Sequence, residues 1–255
     1  MSDSLPTSFT PAWDVPPGSY FVTGTDTGVG KTWVSAMLML AHARAGRSAG
    51  YMKPVQTGCV QRGEQRMAPD VEWVSGISGF HPPAELEPCI CPYRFLLPAS
   101  PHLAAARENA AIAIESIRAT YQQLVARYPI MIVEGAGGVQ VPLSEQLSML
   151  DLMQMLQLPV LVVSRPVLGT LNHTLLTINA LRAADLDVRG IVLVQSQPPP
   201  VDAIAAQEEE WIVADNQRML ESWSGLPIMG RLPYQENGAD SEVTRQACEQ
   251  ILACS

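Results

Sequence analysis

A glycine-rich stretch ends in a lysine and a threonine in the segment YFVTGTDTGVGKT, residues 20–32. An apolar, β-branched run precedes it and a helix-forming run follows it. In such a loop, backbone N–H groups and a helix N-terminus bind phosphate oxygens, the lysine reaches the β- and γ-phosphates, and the hydroxyl of Thr32 coordinates Mg²⁺. Gly24 lies one residue farther from Lys31 than the common phosphate loop requires. We therefore predict a variant phosphate loop rather than a chance glycine-rich turn.

Three further charged residues lie where an apolar strand ends or a helix begins. Lys53 follows the run AGYM, Glu134 follows IMIV, and Asp70 lies at a probable helix start. A lysine at the end of an apolar strand is solvated, paired or functional, and the residues alone do not choose between these. Taken alone, Asp70 fits a helix N-cap better than a metal ligand, and Glu134 fits an ordinary surface acid. Together with Thr32, the two carboxylates offer the oxygen ligands that Mg²⁺ uses alongside phosphates and water.

The composition is that of one large globular domain. The chain has 255 residues, of which 47% are hydrophobic and 16% charged, with a formal net charge of −9. The negative charge argues against nucleic-acid binding, and no apolar run approaches the roughly 20 residues of a membrane span. Five cysteines without framework spacing indicate reduced thiols. We predict a cytoplasmic protein whose residues 1–18 form a flexible, proline-rich tail.

Short apolar runs alternate with helix-forming stretches along the rest of the chain. The predicted strands are residues 19–24, 49–55, 130–135, 159–164 and 190–196, and the predicted helices are residues 31–45, 110–128, 148–156, 168–184 and 201–223. Continuous apolar strands alternating with helices indicate a doubly wound, mostly parallel sheet of the P-loop NTPase type. We predict one α/β domain over residues 19–255. Residues 56–109 have the weakest pattern, and an irregular stretch of this length in a compact domain indicates function.

Several motifs, in chain order, resemble those of the dethiobiotin synthetase family, whose phosphate loop is one residue longer than the common form. They are YFVTGTDTGVGKT, GYMKPVQTG, CPYRFLLPASPHLAA, IVEGAGGVQVPL, LPVLVVSRPVLGTLNHTLLT and RGIVLV. The resemblance runs from about residue 19 to 196, with a weaker match at GRLPY. It implies a ligase of biotin biosynthesis that uses ATP, Mg²⁺ and CO2 to close a urea ring on 7,8-diaminononanoate. The expected route passes through a carbamate and a carbamic-phosphoric anhydride to dethiobiotin, ADP and phosphate.

The resemblance also implies roles for individual residues. Lys53 and Lys31 are the expected catalytic residues. The expected metal ligands are Thr32, Asp70 and Glu134. The expected nucleotide-binding residues are Gly28, Val29, Gly30, Lys31, Thr32, Trp33, Asp70, Glu134, Gly135, Ala136, Gly137, Gln195, Leu232, Pro233, Tyr234 and Glu236. The expected substrate-binding residues are Thr27, Thr57, Gly169, Thr170, Leu171 and Asn172. The last four open a helix, so their N–H groups form an anion site. In the family this segment binds the substrate carboxylate from the opposite subunit, which implies a homodimer.

One departure from the family pattern concerns the nucleotide base. Val194 stands four residues after Gly190, where family members commonly carry an asparagine that reads adenine. Valine has neither the donor nor the acceptor of an amide. Gln195, or backbone groups near Leu232, Pro233 and Tyr234, are the alternatives. We therefore expect weaker base selectivity than in relatives with asparagine.

Three other functions compete with this interpretation. A nucleotide-switch ATPase of the partitioning or metallochaperone type has the same fold, but it usually carries a second lysine early in the loop, where this chain has Thr25-Asp26-Thr27-Gly28. An amide-forming enzyme that activates a carboxylate on a larger cofactor needs an ammonia source, and nothing in the sequence indicates one. A degenerate, inactive paralogue is favoured by Val194 alone.

Overall fold

The computed structural model describes residues 15–234 and 242–253. The strands are β1 (Tyr20–Gly24), β2 (Ala49–Met52), β3 (Val55–Gln56), β4 (Val60–Arg62), β5 (Gln65–Met67), β6 (Tyr93–Arg94), β7 (Ile130–Gly138), β8 (Val160–Ser164), β9 (Val188–Val194) and β10 (Ile228–Leu232). The helices are α1 (Lys31–Arg44), α2 (Pro69–Ser78), α3 (Glu87–Ile90), α4 (Pro101–Arg107), α5 (Ile114–Val125), α6 (Met149–Leu156), α7 (Thr170–Ala183), α8 (Ala203–Ser224) and α9 (Glu242–Ala253).

Six of these strands form one parallel sheet in the order β10-β9-β8-β1-β7-β2. Every residue of β1, β2 and β8 is buried, because helices cover the sheet and the strands are apolar along their whole length. Helix α1 packs against α2 and α9, while α7 packs against α8. The predicted fold class, an α/β protein with a doubly wound parallel sheet, is confirmed.

The five predicted strands and five predicted helices all exist, with shifted ends. Strand β2 ends at Met52 rather than at residue 55, because Pro54 has no N–H to donate to a sheet ladder. The sequence did not predict β10, an edge strand that includes Gly230 and Arg231 and is only partly buried. The irregular stretch 56–109 contains a hairpin of β4 and β5, a pairing of β3 with β6, and three helices.

Strand β1 lies in the middle of the sheet, between β7 and β8. The loop after it, residues 25–30, therefore opens at the centre of the carboxyl edge, where open α/β sheets bind their ligands. None of the described helices is long and apolar enough to cross a membrane. Most of the predicted tail lies outside the described residues, so its boundary stays a prediction; within it, Gly18 accepts a hydrogen bond from Nε2 of His42 at 3.1 Å.

Candidate active site

The loop between β1 and α1 has the backbone that a phosphate loop needs. Gly30 precedes α1 with a φ of 103°, and a Cβ at this position would lie 2.6 Å from Cγ1 of Val194, so only glycine fits. Lys31 begins the helix and is buried, and its Nζ donates a hydrogen bond to the carbonyl of Asp26 at 2.9 Å. Burial, followed by the charge of Lys53, lowers the pKa of Lys31 to about 8. The loop thus holds an amine whose charged form a phosphate would stabilise.

Sheet register brings a second lysine to the same edge. Met52 pairs with Val133 across β2 and β7, which places Lys53 beside Glu134. The Lys53 Nζ lies 2.8 Å from Oε1 of Glu134 and 2.6 Å from Oδ2 of Asp70. It also donates to the carbonyl of Gly135 at 3.1 Å. Lys31 and Lys53 are the two lysines of the chain, and both lie in this site.

The carboxylates around Lys53 keep its amino group protonated. Burial alone lowers the pKa of Lys53, but Glu134 and Asp70 outweigh burial and raise it above the usual lysine value. Burial likewise raises the pKa of Asp70, but Lys53 outweighs it and the net shift is downward. The simpler N-cap interpretation of Asp70 is wrong, because the N-cap of α2 is Ala68 and Asp70 is the second helical residue. Its side chain is left free to reach Lys53.

Glu134 is the centre of a hydrogen-bond network rather than a surface acid. It is fully buried, and its Oε1 accepts from the hydroxyl of Thr32 at 2.8 Å as well as from Lys53. Its Oε2 accepts from the hydroxyl of Tyr51 at 2.8 Å. Burial and the adjacent Glu134 raise the pKa of Tyr51 well above its usual value, so this hydroxyl stays a donor. Tyr51 was not among the residues predicted from the sequence. The signal was its spacing from Lys53, since residues i and i+2 of a strand share a face.

Thr32, Asp70 and Glu134 form a donor set that suits Mg²⁺. Within residues 15–234 and 242–253, no three His, Cys, Asp or Glu side chains come together as a metal site. Two carboxylates and one hydroxyl are too few to enclose an ion. They fit a hard cation that keeps several waters and takes its remaining ligands from phosphate oxygens.

These residues line a cavity of about 630 Å³. Eleven of the predicted site residues are at its wall: Thr27, Gly28, Gly30, Lys31, Thr32, Lys53, Thr57, Asp70, Glu134, Ala136 and Gly137. The lining is completed by residues that were not predicted from the sequence: Val55, Gln56, Pro98, Ala99, Ser100, Pro101 and Val141. Most of these come from the irregular stretch 56–109, so that stretch helps to build the site.

Other predicted nucleotide-binding residues lie near the cavity but do not line it. Val29 is packed into the core, and the ring of Trp33 lies 6.5 Å from that of Trp73. The N–H of Gln195 donates to the carbonyl of Leu232 at 2.9 Å, which places the ends of β9 and β10 side by side. Pro233 and Tyr234 follow directly. Glu236 lies outside the described residues.

The start of α7 is a separate region. Gly169 has a φ of 93°, and three buried hydroxyls, from Ser164, Thr170 and Thr174, bond to one another at 2.8 to 3.2 Å and join the helix to β8. Leu171 and Asn172 line a second cavity of about 420 Å³. Its other lining residues are Leu175, Leu176, Asn179, Met219 and Trp223. A single chain does not bring this segment to the first cavity.

The fold and the site together define a P-loop nucleotide-binding protein with a second lysine, paired with two carboxylates, beside the phosphate loop. Comparison with known proteins agrees: residues 18–241 match the family model described as AAA domain. The ATP-dependent dethiobiotin synthetase BioD of Nitrosospira multiformis is 40% identical over 218 residues, which cover 86% of this chain and 89% of the relative. That of Bacillus cereus strain G9842 is 34% identical over 236 residues, covering 92% and 91%. The chain belongs to the dethiobiotin synthetase family and is an enzyme of the ligase class.

Solved structures give only distant matches. A MinC:MinD cell division complex from Aquifex aeolicus matches with a TM-score of 0.49 and 14% identity, covering 92% of this chain and 93% of that one. The signal recognition particle receptor FtsY from Elizabethkingia anophelis matches with a TM-score of 0.45 and 14% identity, covering 93% and 66%. Likenesses at this level carry no information about function.

Proposed function

We propose that this enzyme is an ATP-dependent dethiobiotin synthetase acting in biotin biosynthesis. It closes a urea ring on 7,8-diaminononanoate with CO2 and ATP, giving dethiobiotin, ADP and phosphate. The names of the relatives support the reaction. The observation that carries the proposal is the position of Lys53, 2.8 Å from Glu134 and 2.6 Å from Asp70 in the cavity that also contains Lys31.

The reaction needs a site that holds two anions together. One amino group of the diamine takes up CO2 and loses a proton to form a carbamate. The carbamate oxygen then attacks the γ-phosphorus of ATP, ADP leaves, and a carbamic-phosphoric anhydride remains. Lys31 binds the phosphates, and Lys53, kept charged by Glu134 and Asp70, stabilises the carbamate and the transferred phosphoryl group. No covalent intermediate with the enzyme is required.

Thr32, Asp70 and Glu134 would hold Mg²⁺ with the nucleotide. When bound, the ion supplies positive charge to phosphate oxygens. The hydrogen bond of Tyr51 to Oε2 orients the Glu134 carboxylate, so that Oε1 faces Thr32 and Lys53. Thr27 and Thr57 lie in the cavity wall and are placed to contact the diamine.

The substrate carboxylate binds at the start of α7, on the N–H groups of Gly169, Leu171 and Asn172 supplied by a second subunit. The N–H of Thr170, which was also predicted to bind it, donates instead to the carbonyl of Val167 at 3.1 Å. Two observations support a homodimer with shared sites. The segment lies apart from the first cavity in its own chain, and the neighbouring surface of α7 and α8 exposes Leu176 and Trp223. We place the reaction in the cytoplasm, in keeping with the free thiols of Cys59, Cys89 and Cys91.

Val194 gives the nucleotide site an apolar wall where an amide was expected. Its side chain is buried against Gly30 and offers no hydrogen bond to a base. We expect modest discrimination among nucleotides. Steady-state kinetics with ATP, CTP and GTP would contradict this if kcat/KM for ATP exceeded the others by more than about a hundredfold, nearly 3 kcal/mol.

The deciding experiment measures release of nucleoside diphosphate with Mg²⁺ and bicarbonate, with and without 7,8-diaminononanoate. Release that requires the diamine, together with dethiobiotin detected by mass spectrometry, is the expected result. Hydrolysis that proceeds equally well without the diamine, and yields no dethiobiotin, would instead favour a nucleotide-switch ATPase on this fold.

A further inference from the structure

One polar side chain in the first cavity has no role in the chemistry described so far. Gln56 ends the short strand β3, is 9% exposed, and lines the cavity between Lys53 and Thr57. Its Nε2 donates a hydrogen bond to the carbonyl of Thr57 at 3.0 Å. Since a carbonyl can only accept, this contact fixes which end of the amide is the NH₂ group. The other end, Oε1, is enclosed and has no hydrogen-bond partner in the described part of the chain.

The backbone around Gln56 is already committed. The carbonyl of Gln56 accepts from the N–H of Phe95 at 2.8 Å, and β3 pairs with β6 through Gln56 and Arg94. Lys53 is committed too, because its three N–H donors go to its two carboxylates and the carbonyl of Gly135. Lys31 bonds to the carbonyl of Asp26 and keeps its other donors for phosphate oxygens. A buried acceptor left without a donor is costly, so its presence calls for an explanation. Because Gln56 lines the cavity, a ligand that brings an N–H there supplies the missing donor after a small turn of the enclosed amide.

We propose that Oε1 of Gln56 binds the second amino group of the diamine, the one that closes the ring. The inference rests on the proposed function. At the reacting end, the triphosphate offers only acceptor oxygens and the carbamate keeps a single N–H, whereas the free amine offers two N–H donors. Gln56 thereby forms an amine subsite opposite the anion-binding lysines, and it holds the nucleophile while the anhydride forms.

The chemistry of ring closure favours a neutral amide at this position. The amine nitrogen forms a bond to the carbamate carbon, and the bond from that carbon to the phosphate oxygen breaks. The departing phosphate takes that electron pair and the proton that the nitrogen loses. An amide oxygen accepts one N–H and leaves the nitrogen lone pair free to attack. A carboxylate would stabilise the protonated ammonium, which has no lone pair to donate.

The test compares Gln56→Met, which removes the acceptor at similar size, with Gln56→Glu. The matched control is Gln154→Met, because Gln154 also donates from Nε2 to a backbone carbonyl, that of Ala184 at 3.2 Å, but lies on α6 outside the cavity. ADP and dethiobiotin are measured in the same reactions, with the diamine and ATP varied separately. Thermal midpoints are recorded for all variants.

For Gln56→Met we expect the KM for the diamine to rise about tenfold, as for a lost hydrogen bond, with the KM for ATP within twofold. We also expect more than two ADP per dethiobiotin, because the anhydride is hydrolysed before the unheld amine attacks. Gln56→Glu keeps the KM for the diamine and loses about tenfold in kcat at pH 7. Gln154→Met should release one ADP per dethiobiotin, as the wild-type enzyme does.

Three results would overturn the proposal. If Gln56→Met released one ADP per dethiobiotin and kept the wild-type KM for the diamine, the amide would contact no substrate. If the KM values for ATP and for the diamine rose equally in Gln56→Met and its thermal midpoint fell, Gln56 would be a structural residue. If the wild-type enzyme made ADP but no dethiobiotin, the proposed function itself would fail, and this inference with it.

Discussion

The carboxyl edge of the sheet and the outer surface of α7 and α8 differ in whether one chain supplies the partners that their side chains need. At the edge, Lys53, Glu134 and Asp70 carry charges that are buried or nearly so, and each has a partner from another part of the same chain. On the outer surface, Leu176 and Trp223 are 59% and 70% exposed beside the second cavity. Leu168, just before α7, is 93% exposed.

The difference indicates which region is complete within one subunit. Buried charges must be paired before any ligand arrives, so the phosphate-loop site forms within one subunit. Contiguous exposed apolar side chains beside a groove are typical of a surface that another chain covers. We therefore expect nucleotide binding to be a property of one subunit and ring closure a property of two.

The largest effect should come from Lys53→Ala, with Lys53→Met as the better match in volume. Removing this charge from the carbamate and phosphoryl positions should lower kcat for ring closure by about 10³-fold or more. ADP should still bind within about threefold, measured by calorimetry, and the proposed dimer should persist. Because Glu134 keeps its bonds to Thr32 and Tyr51, we expect a stability loss near the low end for a broken buried pair, about 3 kcal/mol. Lost nucleotide binding in a folded variant would make Lys53 a phosphate-site residue instead.

A smaller effect, confined to the other region, should follow from Trp223→Glu. A charge in the apolar groove should dissociate the proposed dimer, halving the mass measured by light scattering, and lower dethiobiotin formation about tenfold to a hundredfold at submicromolar enzyme. ADP binding should not change. Trp211→Glu is the control, since Trp211 is 65% exposed on the same helix but does not line the cavity. A Trp223→Glu protein that remains a fully active dimer would show that this surface is not the interface.

The smallest effect concerns the charge of Lys31. Burial lowers its pKa to about 8, so in the free enzyme it loses its proton as the pH rises through 8, whereas phosphates favour the charged form. Nucleotide affinity should fall above this pH, by up to tenfold per pH unit, and be constant below about pH 7. Binding of ADP at pH 8.5 should take up about 0.7 proton, measured by calorimetry in two buffers of different ionisation enthalpy. No proton uptake would mean that Lys31 stays charged in the free enzyme.

The folded state gives the same group a second pH dependence. Because the pKa of Lys31 lies below that of an unfolded lysine, this residue destabilises the fold below about pH 8. That cost should disappear as the pH rises toward 10.5, the ordinary lysine value. The contribution should be absent from Lys31→Met, which a comparison of unfolding free energies at pH 7.5 and 9.5 would measure.

The parallel sheet and the phosphate loop could be predicted because their residues are local and repetitive. Apolar runs predicted β1, β7, β8 and β9, and the loop motif placed Lys31 and Thr32. The position of Asp70 could not be predicted from its neighbours alone, since its contact with Lys53 depends on how residues 56–109 fold back over the sheet. Tyr51 and Gln56 were not predicted for a related reason. The role of Tyr51 depends on its hydrogen bond to Glu134 on another strand, and that of Gln56 on an oxygen left without a partner, and neither is visible in the sequence.

Both lysines of the chain lie at the carboxyl edge of the sheet, and apart from four histidines every other basic side chain is an arginine. Amine-directed reagents therefore have few targets: the terminal α-amino group, Lys31 and Lys53. With a pKa of about 8, Lys31 is partly unprotonated in mildly alkaline buffer, whereas the carboxylates keep Lys53 protonated. An acylating reagent should modify Lys31 alone among the side chains, and bound nucleotide should shield it. Lys31 would then serve as a single-residue label site that reports occupancy of the phosphate loop, read by peptide mass.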